Sequence, residues 1–337
     1  MPEIRLGYAC INTAIRKRKK EPEIYCSRPV RLKRLFSMQG DEAQAYCQET
    51  SRQNIRDILT ILRWNEDHGI RFFRITSELF PNFGNPQAVA KFPDQPYFSG
   101  DMEFARDLLK EVGDFARKYD HRLTFHSNPY TQLGTPNELV AHHSVFDIDM
   151  HYKTFQLMGI EPGPYNCLIV HGGGVFGDIE ETKKRIEKTL EGMDVKKRRM
   201  LVFENDEWHY NPYDLLPLCE KFNMAFCFDI FHNRVSRKPI KVTRKFLRRI
   251  LSTWGNIPLK MHLSQQRPGE RRGAHSDMIN RLPAWLATEL PVPRIDIMLE
   301  CKLKEQSVLA LMPQLQQPPF NGQPVVVDEQ NNSVPSL

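Results

Sequence analysis

Eight short runs of apolar, strand-favouring residues punctuate the chain, at positions 4–9, 72–75, 123–125, 167–170, 200–203, 224–228, 259–263 and 295–299. Each is bounded by polar residues and too short for a helix, which is the pattern of a strand buried on both faces. Between them lie longer stretches with apolar residues at helical spacing, as at Ile55, Ile58, Leu59 and Leu62. They predict helices over 42–64, 104–119, 142–158, 180–190, 213–222, 243–254, 278–286 and 305–312. Strand and helix alternate eight times, so the fold class predicted is α/β, a single-domain (β/α)8 TIM barrel over residues 1–312. A doubly wound sheet is the alternative, but no glycine-rich fingerprint follows the first strand. From 313 to 337 the chain turns to Pro, Gln and Asn, which predicts a disordered tail with 325–327 as a candidate edge contact.

In such a barrel the chemistry sits where the strands end. The third run ends in His126, the fourth in His171, the fifth in Glu204 and the sixth in Asp229; the seventh carries His262 and the eighth ends in Glu300. Successive separations are 45, 33, 25, 33 and 38 residues, about the spacing of one strand–helix unit in a barrel of roughly 250 residues. All six side chains should therefore face one mouth. One histidine at a strand end is usually a hydrogen-bonded core residue. Three with three carboxylates are a different matter, because the acids repel and are costly to bury without a cation. Mixed His/Asp/Glu sets suit Zn²⁺ or Mn²⁺, and several acids suggest more than one ion sharing a bridging carboxylate. His232 and His275 lie just beyond the sixth and seventh runs and could complete a further ion. Lys260 shares a face with His262; inside a barrel it needs an acid partner, a lowered pKa or a modification. Gly172–Gly174 after His171 either offer backbone N–H groups to a phosphate or let the loop turn tightly.

Composition narrows the class. Of the 337 residues 40% are hydrophobic and 26% charged, as in an ordinary globular protein. No run approaches the roughly 20 apolar residues of a membrane span, and the N-terminus lacks the pattern of a secretory signal. Seven scattered cysteines without a CxxC pair argue for reduced thiols and an intracellular setting, nucleoid or nucleus left open. Nothing indicates an oligomer, so a monomer is expected. The net charge is +6, and the segment 16–34 alone, with nine basic residues and two acids, carries +7. That block is either a solvated stretch or a phosphate-binding loop, and its aromatic and apolar residues favour the loop.

GYACIN, FRITSELFP, LTFHSNPY, VHGGG, FENDE, FDIFH, KMHLSQ, GAHSD and LECKLKEQ, in that order from Arg5 to about Leu311, resemble the UV-damage endonucleases and, more distantly, the apurinic endonuclease IV group. The resemblance implies an endonuclease that nicks DNA 5′ to pyrimidine photoproducts, leaving a 3′-hydroxyl. It implies three divalent ions, manganese first among them with zinc or magnesium as alternatives. By the same resemblance His126, His171 and Glu204 hold one ion, Glu204, Asp229, His262 and Glu300 a second, and His232 and His275 a third. Lys260 matches a lysine that looks carboxylated in the family. Glu204, Lys260, His232 and His275 form the expected catalytic set. Tyr8 and Asn12 match residues that contact the damaged site.

Where many relatives carry a histidine, this chain has Asn85, and where they carry a Gln-Tyr pair that probes the duplex it has Pro129-Tyr130. Tyr130 can still wedge by stacking, whereas Pro129 cannot donate as Gln would. Lys17 and Lys19 in the first loop, with Arg267, Arg271 and Arg272 after the seventh run, are expected on backbone phosphates of double-stranded DNA. The rivals are a metal-dependent sugar isomerase on the same barrel, an inactive damage-sensing relative, and a strict abasic-site nuclease.

Overall fold

The structure, a computed structural model, describes residues 2–16 and 22–316. Eight parallel strands close into a barrel in chain order: β1 (Glu3–Ala9), β2 (Phe72–Arg74), β3 (Arg122–His126), β4 (Leu168–His171), β5 (Leu201–Glu204), β6 (Ala225–Asp229), β7 (Leu259–Leu263) and β8 (Arg294–Leu299). Each falls on one of the eight apolar runs. Both faces of such a strand are covered, so both can be apolar while the ladder satisfies the backbone. Closure comes from β1 against β8, with Glu3 opposite Arg294 through to Tyr8 opposite Leu299.

The outer ring consists of α1 (Gly40–Asp67), α2 (Arg106–Lys118), α3 (Glu138–Leu157), α4 (Ile179–Glu191), α5 (Pro212–Phe222), α6 (Arg244–Trp254), α7 (Trp285–Thr288) and α8 (Lys304–Leu311). Their starts are chemically marked. Asn137 opens α3 by accepting from the N–H groups of Leu139 and Val140, and Asn211 with Asp214 forms a capping box ahead of Pro212 in α5. No helix among the described residues is long and apolar enough to cross a membrane.

Two expectations are corrected. The helix expected over 278–286 is absent until Trp285, where α7 makes a single turn. Pro283 has no N–H and restrains the residue before it. The backbone upstream is already engaged elsewhere: Ser307 Oγ accepts from the Ile279 N–H at 2.9 Å, and Gln265 Oε1 accepts from that of Asn280 at 3.1 Å. Past α8, residues Met312–Gln316 continue as a 3-10 helix, so the expected tail does not begin at 313. Its remainder, with 325–327, lies outside the described residues.

Alternate strand residues point into the barrel, and the interior is layered. At the bottom Arg122 and Asp296 pair at 2.9 Å with no exposed side-chain surface. Arg122 gives its other donors to the carbonyls of Pro164, Tyr165 and Pro258, and Arg294 donates to both oxygens of Asp296. Above this lies a small apolar layer of Ala9, Phe72 and Met298. The polar strand ends form the top.

Candidate metal centre

Glu204, at the tip of β5, is the hub of the mouth. His126 at the end of β3 and His171 at the end of β4 each offer a donor atom which, with one from Glu204, lies in a group within 4.8 Å; Glu204, Asp229 and His262 form a second such group. Glu204 Oε1 is 2.8 Å from His262 Nδ1, while its Oε2 is 3.4 Å from His126 Nε2 and 3.8 Å from His171 Nε2. Glu300, just past β8, lies 3.4 Å from His262 Nδ1 and 4.0 Å from His275 Nδ1. His232, on the short helix Ile230–Val235 that β6 runs into, places Nδ1 3.6 Å from both Glu204 Oε1 and Asp229 Oδ2. The eight residues expected to ligate metal therefore converge.

Asp229 owes its position to two local devices. Its Oδ1 accepts from the His232 N–H at 2.6 Å, starting the helix. The Asn205 side chain bonds the Asp229 backbone both ways, accepting from its N–H and donating to its carbonyl at 3.0 Å each. These bonds leave Asp229 Oδ2, like Glu204 Oε2, buried with no hydrogen bond. A buried carboxylate oxygen without a donor is expensive. The surrounding imidazole nitrogens and carboxylate oxygens are the donor set of a divalent ion such as Mn²⁺ or Zn²⁺, so the residues fit the metal that the site's composition implies.

The electrostatics agree. Burial, reinforced by Glu204 and Glu300, pushes the Asp229 carboxyl up to about 8 against the opposing pull of His232. Burial would lower His232, but Asp229, Glu204, Glu300 and Glu207 around it raise it to about 10. Burial takes His262 down to about 4. Burial also works against ionised Glu204 and Glu300, yet His262 and His171 hold the first, and Arg74 and His262 the second, well below the usual carboxylate range. Too many acids share too few cations, and some stay charged while others must hold a proton.

Arg74 was not foreseen. It ends β2 and forms an ion pair with Glu300. The pattern that marks the other strand ends is one of metal-ligating residue types, and a guanidinium is not one, although it occupies the equivalent position. Asn205 was also missed; its place beside Glu204 in FENDE was the available signal.

Lys260 has no exposed surface and no carboxylate partner among the described residues, which corrects the ion-pair alternative. Its Nζ lies against His262 Nε2, with Cys227 Sγ at 3.9 Å and the Phe72 ring centroid at 6.0 Å. Tyr8 and Asn12 are also corrected. Both are 0% exposed, with the Tyr8 hydroxyl donating to Asn65 Oδ1 at 2.6 Å and accepting from Asn12 Nδ2 at 2.9 Å. Side chains sealed in this way brace the loop after β1 and do not face a duplex.

Tyr130, in contrast, is 82% exposed. Its turn is held by Gln132, which donates to the Pro129 carbonyl at 2.8 Å and accepts from the Gly174 N–H at 2.6 Å. That bond also uses one N–H of the glycine triplet. Gly173 has φ +82°, and a Cβ on Gly172 would stand 2.6 Å from the Tyr210 ring, so the tight-turn reading of the triplet accounts for these glycines. Asn85 caps the short helix Pro86–Lys91 and lines a cleft of about 630 Å³ beside the mouth, which Tyr130 also lines. Arg271 and Arg272 are exposed, while Arg267 lies 3.6 Å from Asp277. Lys17 and Lys19 lie outside the described residues.

Several known proteins are similar to this chain. A putative UV-damage endonuclease of Acanthamoeba polyphaga mimivirus is 44% identical over 312 residues, covering 91% of this chain and 90% of that protein. The UV-damage endonuclease of Schizosaccharomyces pombe is 32% identical over 330 residues, covering 94% of this chain but 51% of that protein; this chain spans about half its length. The crystal structure of SacUVDE superposes with a TM-score of 0.75 at 24% identity, covering 93% of this chain and 98% of that one, and so shares the fold. The family model described as UV-endonuclease UvdE matches residues 4–326, and the chain belongs to that family.

Proposed function

We propose that this protein is a metal-dependent DNA-repair endonuclease that nicks one strand 5′ to UV photoproducts, pyrimidine dimers and 6-4 photoproducts among them, and leaves a 3′-hydroxyl. The observation that carries the chemical part is Glu204, shared between two groups of potential ligands and retaining a buried oxygen without a hydrogen bond. The family supplies the substrate class.

His126, His171 and Glu204 would hold one ion; Glu204, Asp229, His262 and Glu300 a second; His232 and His275 a third. Divalent ions, manganese foremost, would lower the pKa of bound water and offset charge on the phosphate. The chain's own residues do the rest. Glu204 keeps the two ligand groups in one frame, and Asn205 fixes Asp229 against it. Tyr130 presents a rigid aromatic face to unstacked bases. Arg267, Arg271 and Arg272 flank the mouth with positive charge for backbone phosphates, which makes DNA binding steeply salt-dependent. Lys260, buried without an acid, is placed for carboxylation, which would replace its positive charge with a negative one suited to nearby metal.

The test compares duplexes carrying one cyclobutane dimer, one 6-4 photoproduct, one abasic site or no lesion, with Mn²⁺ or with chelator. Nicking 5′ to the dimer, abolished by chelator and reduced by at least about 10³-fold in Glu204→Gln, is expected. Cleavage of the abasic duplex alone would replace this reading with that of an abasic-site nuclease. Undiminished nicking by Glu204→Gln would remove the mechanism.

A further inference from the structure

Four tryptophans occur in the chain, and three of them serve the core. Trp254 is 2% exposed and donates its indole N–H to the Phe226 carbonyl at 2.8 Å, while Trp64 and Trp285 are partly buried and pack on the same cluster. Trp208, in the loop after β5, is 50% exposed. A single exposed aromatic is ordinary on a protein surface. The setting of this one is not.

Its backbone is held in place. The Asp206 carboxylate accepts from the N–H groups of Trp208 at 2.7 Å, His209 at 2.6 Å and Tyr210 at 3.2 Å. The Arg237 N–H donates to the Glu207 carbonyl at 3.4 Å, and the Arg272 guanidinium donates to the Ser236 carbonyl at 2.6 Å, so the loops after β5, β6 and β7 are tied together. The indole itself is covered on one face: the Arg237 guanidinium lies over it, 5.0 Å from the ring centroid. Among the described residues no carboxylate forms a salt bridge with that guanidinium. A cation over the ring steadies it and leaves the other face for a planar partner. The charge around it is positive, since Arg234, Arg237, Lys238, Arg271 and Arg272 are all exposed.

Position supplies the partner. Trp208 follows Glu204 by four residues, and four residues of extended chain reach at most about 14 Å, roughly four steps of 3.4 Å along one DNA strand. A strand whose phosphate meets Glu204 therefore passes the indole within a few nucleotides. In an intact duplex each base is covered by its neighbours and offers no face. A lesion that unstacks a base frees one, and stacking on an aromatic ring accepts any base. An acid-free guanidinium beside an open indole matches a phosphate beside a freed base.

We propose that Trp208 is a second stacking platform for unstacked bases of damaged DNA, on the β5 side of the mouth, with Arg237 steadying the indole and meeting a neighbouring phosphate. This rests on the endonuclease reading, and it adds a contact that neither the metal ligands nor Tyr130 supplies.

Binding is followed in the Glu204→Gln background with Mn²⁺, where cutting is too slow to disturb a titration. One labelled duplex carries a single cyclobutane dimer and its match is intact. Anisotropy gives the affinity, and tryptophan emission is read in the same titration. Trp208→Ala should weaken binding of the dimer duplex ~5–150-fold and leave that of the intact duplex nearly unchanged, with no change in melting temperature. Trp208→Phe keeps an aromatic face and should restore most of the affinity, yet lose the quenching of tryptophan emission that the dimer duplex causes. Should Trp208→Ala fail to fold, the emission of Trp208→Phe carries the test. Unchanged dimer affinity in Trp208→Ala would overturn the proposal. So would equal weakening on both duplexes, which means a contact with the backbone alone, or quenching that persists in Trp208→Phe. Failure of the unmodified protein to nick the dimer duplex at all would sink the endonuclease reading itself, an outcome separable from these.

Discussion

The two ends of the barrel bury charge in opposite ways. At the bottom, Arg122, Arg294 and Asp296 meet with their hydrogen bonds made: both Asp296 oxygens are occupied, and Arg122 donates to three carbonyls besides. At the top, Glu204 and Asp229 each keep a buried oxygen with nothing bonded to it. The first arrangement is complete as it stands. The second is short of positive charge, and its imidazole and carboxylate atoms gather into groups able to hold a cation. Buried charge alone therefore does not identify a site; neighbouring buried carboxylates that each keep an unmet oxygen do.

The comparison breaks most visibly if one partner is removed from the lower pair. Asp296→Asn leaves the Arg122 guanidinium buried beside a neutral amide and should cost about 3–5 kcal/mol of stability, measured by denaturant unfolding in chelator. Nicking by the molecules that remain folded should change little. The mouth should behave in reverse, with Glu204→Gln sparing stability and removing activity. A mouth variant that destabilised as much as Asp296→Asn would erase the distinction.

A smaller effect is expected from pH on the metal-free protein. Asp229 and His232 both hold protons more tightly folded than unfolded, with values near 8 and near 10. The folded chain thus binds more protons than the unfolded one, and stability falls as pH rises. For Asp229 the loss runs from its ordinary carboxyl range up to about 8; for His232 the stabilisation is complete below about 6.5 and gone above about 10. Melting temperatures in chelator should fall between pH 6.5 and 9.5. Saturating Mn²⁺ should blunt or reverse the fall, because deprotonated donors bind the ion. A flat profile in chelator would mean that the mouth's charge deficit is illusory. The smallest effect is reserved for Tyr130→Ala, which should weaken damaged-duplex binding by ~1–3 kcal/mol in a fluorescence-anisotropy titration and leave metal binding untouched.

The contrast also shows what a sequence discloses. The strands and the polar residues that end them were legible because an apolar run terminated by an acid or imidazole is a local pattern, and its repetition on six successive strands favours one reading. Arg74 was illegible as part of the mouth: its pairing with Glu300 joins positions 226 residues apart. The burial of Tyr8 and Asn12 was hidden for a related reason, since Asn65, which seals them, belongs to α1. The helix expected over 278–286 failed where Ser307 and Gln265, both distant in sequence, claimed its backbone. Local pattern announces which side chains a strand carries; only the closed barrel says which of them are answered.

Gln132 has one more implication. By gripping the Pro129 carbonyl and the Gly174 N–H at once, it fixes the turn that carries Tyr130 before any encounter. If Tyr130 meets DNA as proposed, the ordering that recognition requires would fall mainly on the nucleic acid, and a duplex loosened by its own damage would yield to the ring sooner than an intact one.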